Sequence, residues 1–105
     1  MICRIWHGYT SQQNADAYEA LLKDEIFTGI QERQIKGYQG IRLLRRSLND
    51  KVEFITIMWF ESLEAVRIFA GEDYEVAVVP QEARALLSSF DERSQHYEIK
   101  GAMDA

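Results

Sequence analysis

The segment from Phe54 to Gly71, FITIMWFESLEAVRIFAG, most constrains what this chain can fold into. Phe54-Ile55-Thr56-Ile57-Met58-Trp59-Phe60 is β-branched and aromatic with almost no polar relief, the pattern of a strand covered on both faces. Ser62 then stands where an N-cap is needed, and Glu61 and Glu64 place negative charge at the helix start. Leu63, Val66 and Phe69 share one helical stripe, and Gly71 supplies the backbone freedom that a helix end requires. A strand apolar on two sides needs two covering layers. In 105 residues the second layer is expected to come from another subunit.

That length makes one domain, over residues 1–100, with 101–105 a short polar tail. A hydrophobic fraction of 47% excludes wholesale disorder. Twelve basic against 17 acidic residues leave a net charge of −5, which argues against nucleic acid or an anionic membrane as partner. Cys3 is the only cysteine, so neither an intrachain disulfide nor a cysteine-rich metal site can form. No apolar run is long enough to span a bilayer. The opening MICRIWHGY reads as a strand rather than a signal peptide, which makes the cytoplasm the expected compartment.

Along the chain, Ile2 to Tyr9 reads as a first strand and Thr10 to Asn14 as a polar turn. From Ala15 the positions Tyr18, Leu22, Ile26 and Ile30 have helical spacing, continuing to about Glu32. Gly37 and Gly40 punctuate the start of a second strand, Tyr38 to Leu48, and Asn49-Asp50 is a hairpin turn signal. A two-residue loop there puts Arg46 opposite Glu53, Leu44 opposite Ile55, Arg42 opposite Ile57 and Gly40 opposite Trp59. Tyr74 to Val79 is irregular or helical by periodicity, Pro80 opens a short helix through Leu87, and Gln95 to Ile99 is a last strand. The order β-α-β-β-α-(α)-β is the split βαβ arrangement of a ferredoxin-like α+β domain, with the helices on one side of a four-stranded antiparallel sheet. The other side is left bare, and pairing with the sheet of a second copy is expected to cover it.

The segment WFESLEAVRIFAG, the opening CRIWHGY and the closing HYEI resemble the antibiotic biosynthesis monooxygenase group of dimeric α+β barrel proteins, from Ile2 to Ile99. The resemblance implies a homodimer whose sheets form a barrel, with a pocket in each subunit between its own sheet and helices. It also implies oxidation of electron-rich aromatic compounds without metal or flavin. The best-known type carries an Asn on the third strand, a Trp before the Glu-Ser pair and a Tyr on the following helix. Here Thr56, Phe60 and Val66 hold those positions. Haem-degrading members use a Trp at the end of the second helix and a later His on iron, which become Phe69 and approximately Val79. The scaffold matches and neither catalytic set is retained, so no haem, flavin or metal cofactor is expected.

His7 is the candidate catalytic base, because imidazole is suited to taking a proton from a phenol or enol. The resemblance turns its side of the first strand, with Cys3 and Ile5, towards the pocket. A hydrogen-bonded strand-end histidine is the plainer explanation. Thr56, Met58, Phe60, Val66 and Phe69 are the candidate substrate-binding residues, and the same apolar stripe serves equally as core. Arg42, Arg45 and Arg46 form the one compact basic group, most simply explained by pairing of Arg46 with Glu53. His96 is expected at a partner contact or on the surface, and two histidines without nearby carboxylates make no metal site. The expected function is cofactor-independent oxidation of a small aromatic or enolisable compound. The alternatives are isomerisation of a small oxidised metabolite in the same pocket, or a non-catalytic ligand-binding or scaffold homodimer.

Overall fold

Alternation along the first strand, β1 (Ile2–Thr10), decides which side of the sheet becomes the core. Ile2, Arg4, Trp6, Gly8 and Thr10 are buried, and the residues between them are half-exposed. The computed structural model describes all of residues 1–105. After β1 come helix α1 (Ala15–Leu21), a π-helical turn (Leu22–Ile26) and helix α2 (Phe27–Glu32), continuous as one rod. Strands β2 (Tyr38–Ser47) and β3 (Val52–Phe60), helices α3 (Leu63–Ala70) and α4 (Gln81–Leu86), and short strands β4 (Leu87–Phe90) and β5 (Gln95–Glu98) complete the order. Tyr18, Leu22, Ile26 and Ile30 repeat at a constant spacing of four. On a regular α-helix each such step drifts by about 40°, so the last would leave the core face. The wider π turn in the middle of the run offsets that drift.

The sheet is antiparallel in the order β2-β3-β1-β4, with β5 continuing β4 along the same edge of β1. The hairpin expectation holds residue for residue: Arg46 lies opposite Glu53, Leu44 opposite Ile55, Arg42 opposite Ile57 and Gly40 opposite Trp59. Leu48 N–H closes the turn on the Lys51 carbonyl at 2.8 Å. The fourth strand is present but broken. Phe90 pairs with Gly8 and Gln95 with Ile5, so Asp91, Glu92, Arg93 and Ser94 stand across from only Trp6 and His7. The bulged residues instead take the segment after α3 as a neighbour, through Ala77 N–H to the Glu92 carbonyl and Ser94 N–H to the Glu75 carbonyl. Tyr74–Val79 is therefore irregular, its backbone satisfied in part by the bulge.

The β3–α3 junction is built as its sequence demands. Ser62 is extended and its hydroxyl accepts from Ala65 N–H, and Gly71 ends the helix at φ 97°, ψ −178°, a region open to glycine. The helix-facing side of the sheet carries two apolar clusters. One gathers Ile2, Ile35, Met58, Phe60, Ala65, Val66 and Phe69; the other gathers Trp6, Ala15, Tyr18, Leu22, Val52, Phe54 and Ala83. Gly8 is required beside Trp6, where an added Cβ would come within 2.6 Å of the indole ring. The opposite side carries Cys3, Ile5, His7, Ile55, Ile57, Trp59 and Leu44 with no layer over it. No helix is long and apolar enough to cross a membrane.

Candidate functional site

A cavity of about 60 Å³ lies at the seam between the two clusters. Its floor is the sheet, with Trp6, Thr56 and Met58, and its roof is the rod, with Leu22, Ile26 and Phe27. Val78, Val79 and Pro80 close one side and Phe69 another. Of the expected binding residues, Thr56, Met58 and Phe69 line this space. Phe60 and Val66 do not. Both are fully buried and pack behind Met58 and Phe69 as support.

The polar side chains of the cavity are few, Arg4, Thr56 and Ser94 on the sheet side and Tyr18 on α1. Arg4 lines it while only 3% exposed, and Ser94, 4% exposed, lines it with a hydroxyl that has no hydrogen-bond partner. Arg4 Nη1 donates to the Tyr74 carbonyl and to His96 Nε2 at 3.0 Å, and Nη2 donates to the Val76 carbonyl at 3.3 Å. No carboxylate pairs with it, and burial pulls its pKa down to about 10, so it stays charged at neutral pH. Sequence reasoning missed Arg4, Trp6 and Ser94. An arginine between Ile2 and Trp6 looks like an outward-facing residue until the loop that takes its protons is known.

His96 is held neutral, which is what lets Nε2 accept from Arg4. Burial, then the charge of Arg4, push its pKa down from 6.5 to about 4, with Glu75 opposing. A group whose folded pKa lies below its unfolded one contributes stability that is full above the unfolded value. That contribution is lost as pH falls from 6.5 towards about 4. His96→Gln keeps an acceptor and cannot titrate. Denaturant unfolding at neutral and acid pH should show the unmodified chain losing on the order of 1 kcal/mol more than the variant, since water screens a half-buried ring.

His7 corrects the expectation drawn for it. β1 pairs with β3 so that Trp6 faces Thr56 and His7 faces Ile55. Adjacent strand residues point to opposite sides, so Cys3, Ile5 and His7 lie on the open face and the cavity lies behind them. His7 Nδ1 meets Asp91 Oδ2 at 2.7 Å, and the same oxygen accepts from His7 N–H at 3.0 Å. Trp6 Nε1 donates to the Asp91 carbonyl at 2.8 Å, and Asp91 N–H to the His7 carbonyl at 2.9 Å. His7 therefore pins the bulge. His7→Ala is expected to lower stability by about 1–2 kcal/mol, discounted for partial exposure, and to leave ligand affinity in the cavity unchanged. Thermal unfolding and one ligand titration on this variant check both.

The basic residues of β2 are spent structurally. Arg46 Nε donates to Glu53 Oε1 at 2.5 Å, and this bond, ahead of one from Tyr9, holds the Glu53 carboxyl below the usual range. Arg45 bridges to Asp16 and Glu19 of α1. Arg42 lies over the Trp59 ring at 5.8 Å. No three His, Cys, Asp or Glu side chains gather where they could hold a metal ion.

Neither a family model nor a curated protein matches the sequence. Solved structures match across the chain. A structure named as an antibiotic biosynthesis monooxygenase from Bacillus cereus superposes with a TM-score of 0.69, covering 99% of this chain and 97% of its own at 16% identity. One so named from Deinococcus radiodurans gives 0.67, covering 100% and 98% at 15% identity. The fold is that of the antibiotic biosynthesis monooxygenases. A monooxygenase from the ActVA-Orf6 gene of Streptomyces coelicolor, solved in complex with the ligand nanaomycin D, gives 0.64, covering 99% and 91% at 14% identity. The fold likeness to the antibiotic biosynthesis monooxygenases thus extends over nearly the whole chain.

Proposed function

We propose that this chain binds a small aromatic or enolisable compound in the sheet–helix cavity and oxidises it with O₂, without a metal, haem or flavin. The observation that carries this reading is an apolar cavity with a polar end, set in a fold whose Streptomyces member is solved with nanaomycin D. The space of about 60 Å³ holds a few waters, so a ring enters as the wall shifts. Two wall segments suit that movement: the π-helical turn, and Val78–Pro80, which belongs to no helix or strand. A ligand-binding protein without turnover is the second reading. It is favoured by a lining with no carboxylate and no imidazole to take a proton.

The open face supports a homodimer. Ile5, Ile55, Ile57, Trp59 and Leu44 form one apolar surface, and a second copy of the same sheet covers it in the barrel that the fold resemblance implies. The single cysteine suits the cytoplasm. Oxygen uptake with a panel of anthrones and hydroxyquinols, no cofactor added, tests the oxidation. Uptake that depends on protein and substrate supports it. Tight binding without uptake establishes the second reading, and neither binding nor uptake removes both.

A further inference from the structure

Arg4 is a charged group placed where charge is expensive, and its hydrogen bonds do not account for it. A guanidinium has five N–H donors. Two on Nη1 go to the Tyr74 carbonyl and His96, and one on Nη2 goes to the Val76 carbonyl. The Nε donor and one Nη2 donor remain without a protein acceptor. Nε and Nη2 flank one edge of the guanidinium plane, the edge that pairs with both oxygens of a carboxylate. Ser94, buried and equally without a partner, lines the same cavity. Nothing else in the lining carries charge, so the cavity has a positive pole set in apolar walls. The Phe69 ring lies under the guanidinium at 5.4 Å and offsets part of its charge, and clamping the 74–76 loop uses carbonyl acceptors only; neither supplies a counter-ion for the Nε–Nη2 edge or a partner for the idle hydroxyl.

We propose that Arg4 and Ser94 form a carboxylate-binding pole, and that the compound taken by this cavity is a small aromatic acid. The assignment rests on the cavity being the ligand site and names the substrate class for it. Arg4 receives the carboxylate on the Nε–Nη2 edge, Ser94 donates to one of its oxygens, and the ring lies against Trp6, Met58 and Phe27. The pole sets specificity, because an uncharged ring of the same shape gains only the walls.

Calorimetric titration of the full chain with benzoate and with benzamide, its uncharged counterpart, tests this. Benzoate should bind at least about tenfold more tightly than benzamide. Arg4→Met should lose that preference, benzoate then binding no more tightly than benzamide, and Ser94→Ala should weaken benzoate several-fold. If Arg4→Met does not fold, Arg4→Lys, which keeps the charge without the fork, should lose most of the preference. The comparison of the two ligands on the unmodified chain needs no variant. 4-Nitrophenolate, with charge on one oxygen, should bind more weakly than benzoate. Equal binding of benzoate and benzamide, preference retained without Arg4, or phenolate as tight as benzoate overturns the carboxylate assignment while the cavity stands as a ligand site. Failure of every ring to bind overturns both.

Discussion

Phe60→Ala is expected to lower the free energy of unfolding by about 3–5 kcal/mol. The ring is fully buried and packs between Tyr38 and Phe69, with centroids 5.7 Å from each. It stands where β3 hands over to α3, so Ile2, Met58 and Val66 lose a shared neighbour when it goes. The hydrogen-bonded sheet and the Ser62-capped helix limit how far the neighbours can relax into the space. Equilibrium unfolding in denaturant reads the loss. Phe60 supports Met58 and Phe69 rather than touching the cavity, so ligand affinity measured well below the melting temperature should fall far less than stability does. A variant of normal stability that had lost binding would place Phe60 in the site.

Trp59→Arg is expected to raise the dimer dissociation constant by at least about 10²–10³ while leaving the subunit folded. Trp59 stands on the open face beside Cys3 and Gly40, half-exposed in the single chain, so the core does not depend on it. In the proposed dimer the new guanidinium would be desolvated without a counter-ion. It would also lie against Arg42, which now sits over the indole. Sedimentation velocity should show a dimer for the unmodified chain at micromolar concentration and a monomer for the variant. A monomeric unmodified chain would remove the dimer.

What the sequence disclosed, and what it hid, divides along the range of the interactions. The β2–β3 register was legible because Asn49-Asp50 fixes it locally and both strands are long. The β3–α3 junction was legible because cap, stripe and terminal glycine lie within eighteen residues. The orientation of β1 was not. Its core-facing side, Ile2-Arg4-Trp6-Gly8-Thr10, contains a charge, a glycine and a hydroxyl, and Arg4 is tolerated there only because carbonyls seventy residues away accept its protons. The other side, Cys3-Ile5-His7-Tyr9, looks more like an interior and is exposed in the single chain. Strand β4 was missed because Leu87-Ser88-Ser89-Phe90 has only four residues, two of them serine, and owes its conformation to the end of β1.

The site followed the same division. Alternation and helical spacing put Thr56, Met58 and Phe69 on the helix-facing side, where they line the cavity, and the same pattern put Phe60 and Val66 there, where they pack behind it. Arg4 and Ser94 were missed because each is defined by a partner it lacks. His7 shares a side with Cys3, Ile5 and Tyr9 as alternation requires, but the resemblance turned that side towards the cavity and the β1–β3 pairing turns it to the opposite face. The basic cluster on β2 needed no site. Every member is accounted for by Glu53, by Asp16 and Glu19, or by Trp59.

A crystal structure of this chain soaked with benzoate shows whether the sheet–helix cavity is the ligand site. The ring is expected between Trp6, Met58 and Phe27, its carboxylate on the Nε–Nη2 edge of Arg4 and within hydrogen-bond reach of Ser94 Oγ, with Val78–Pro80 or the π-helical turn displaced to admit it. A cavity that stays closed while benzoate lies on the open face beside His7, Arg46 and Glu53 would contradict it.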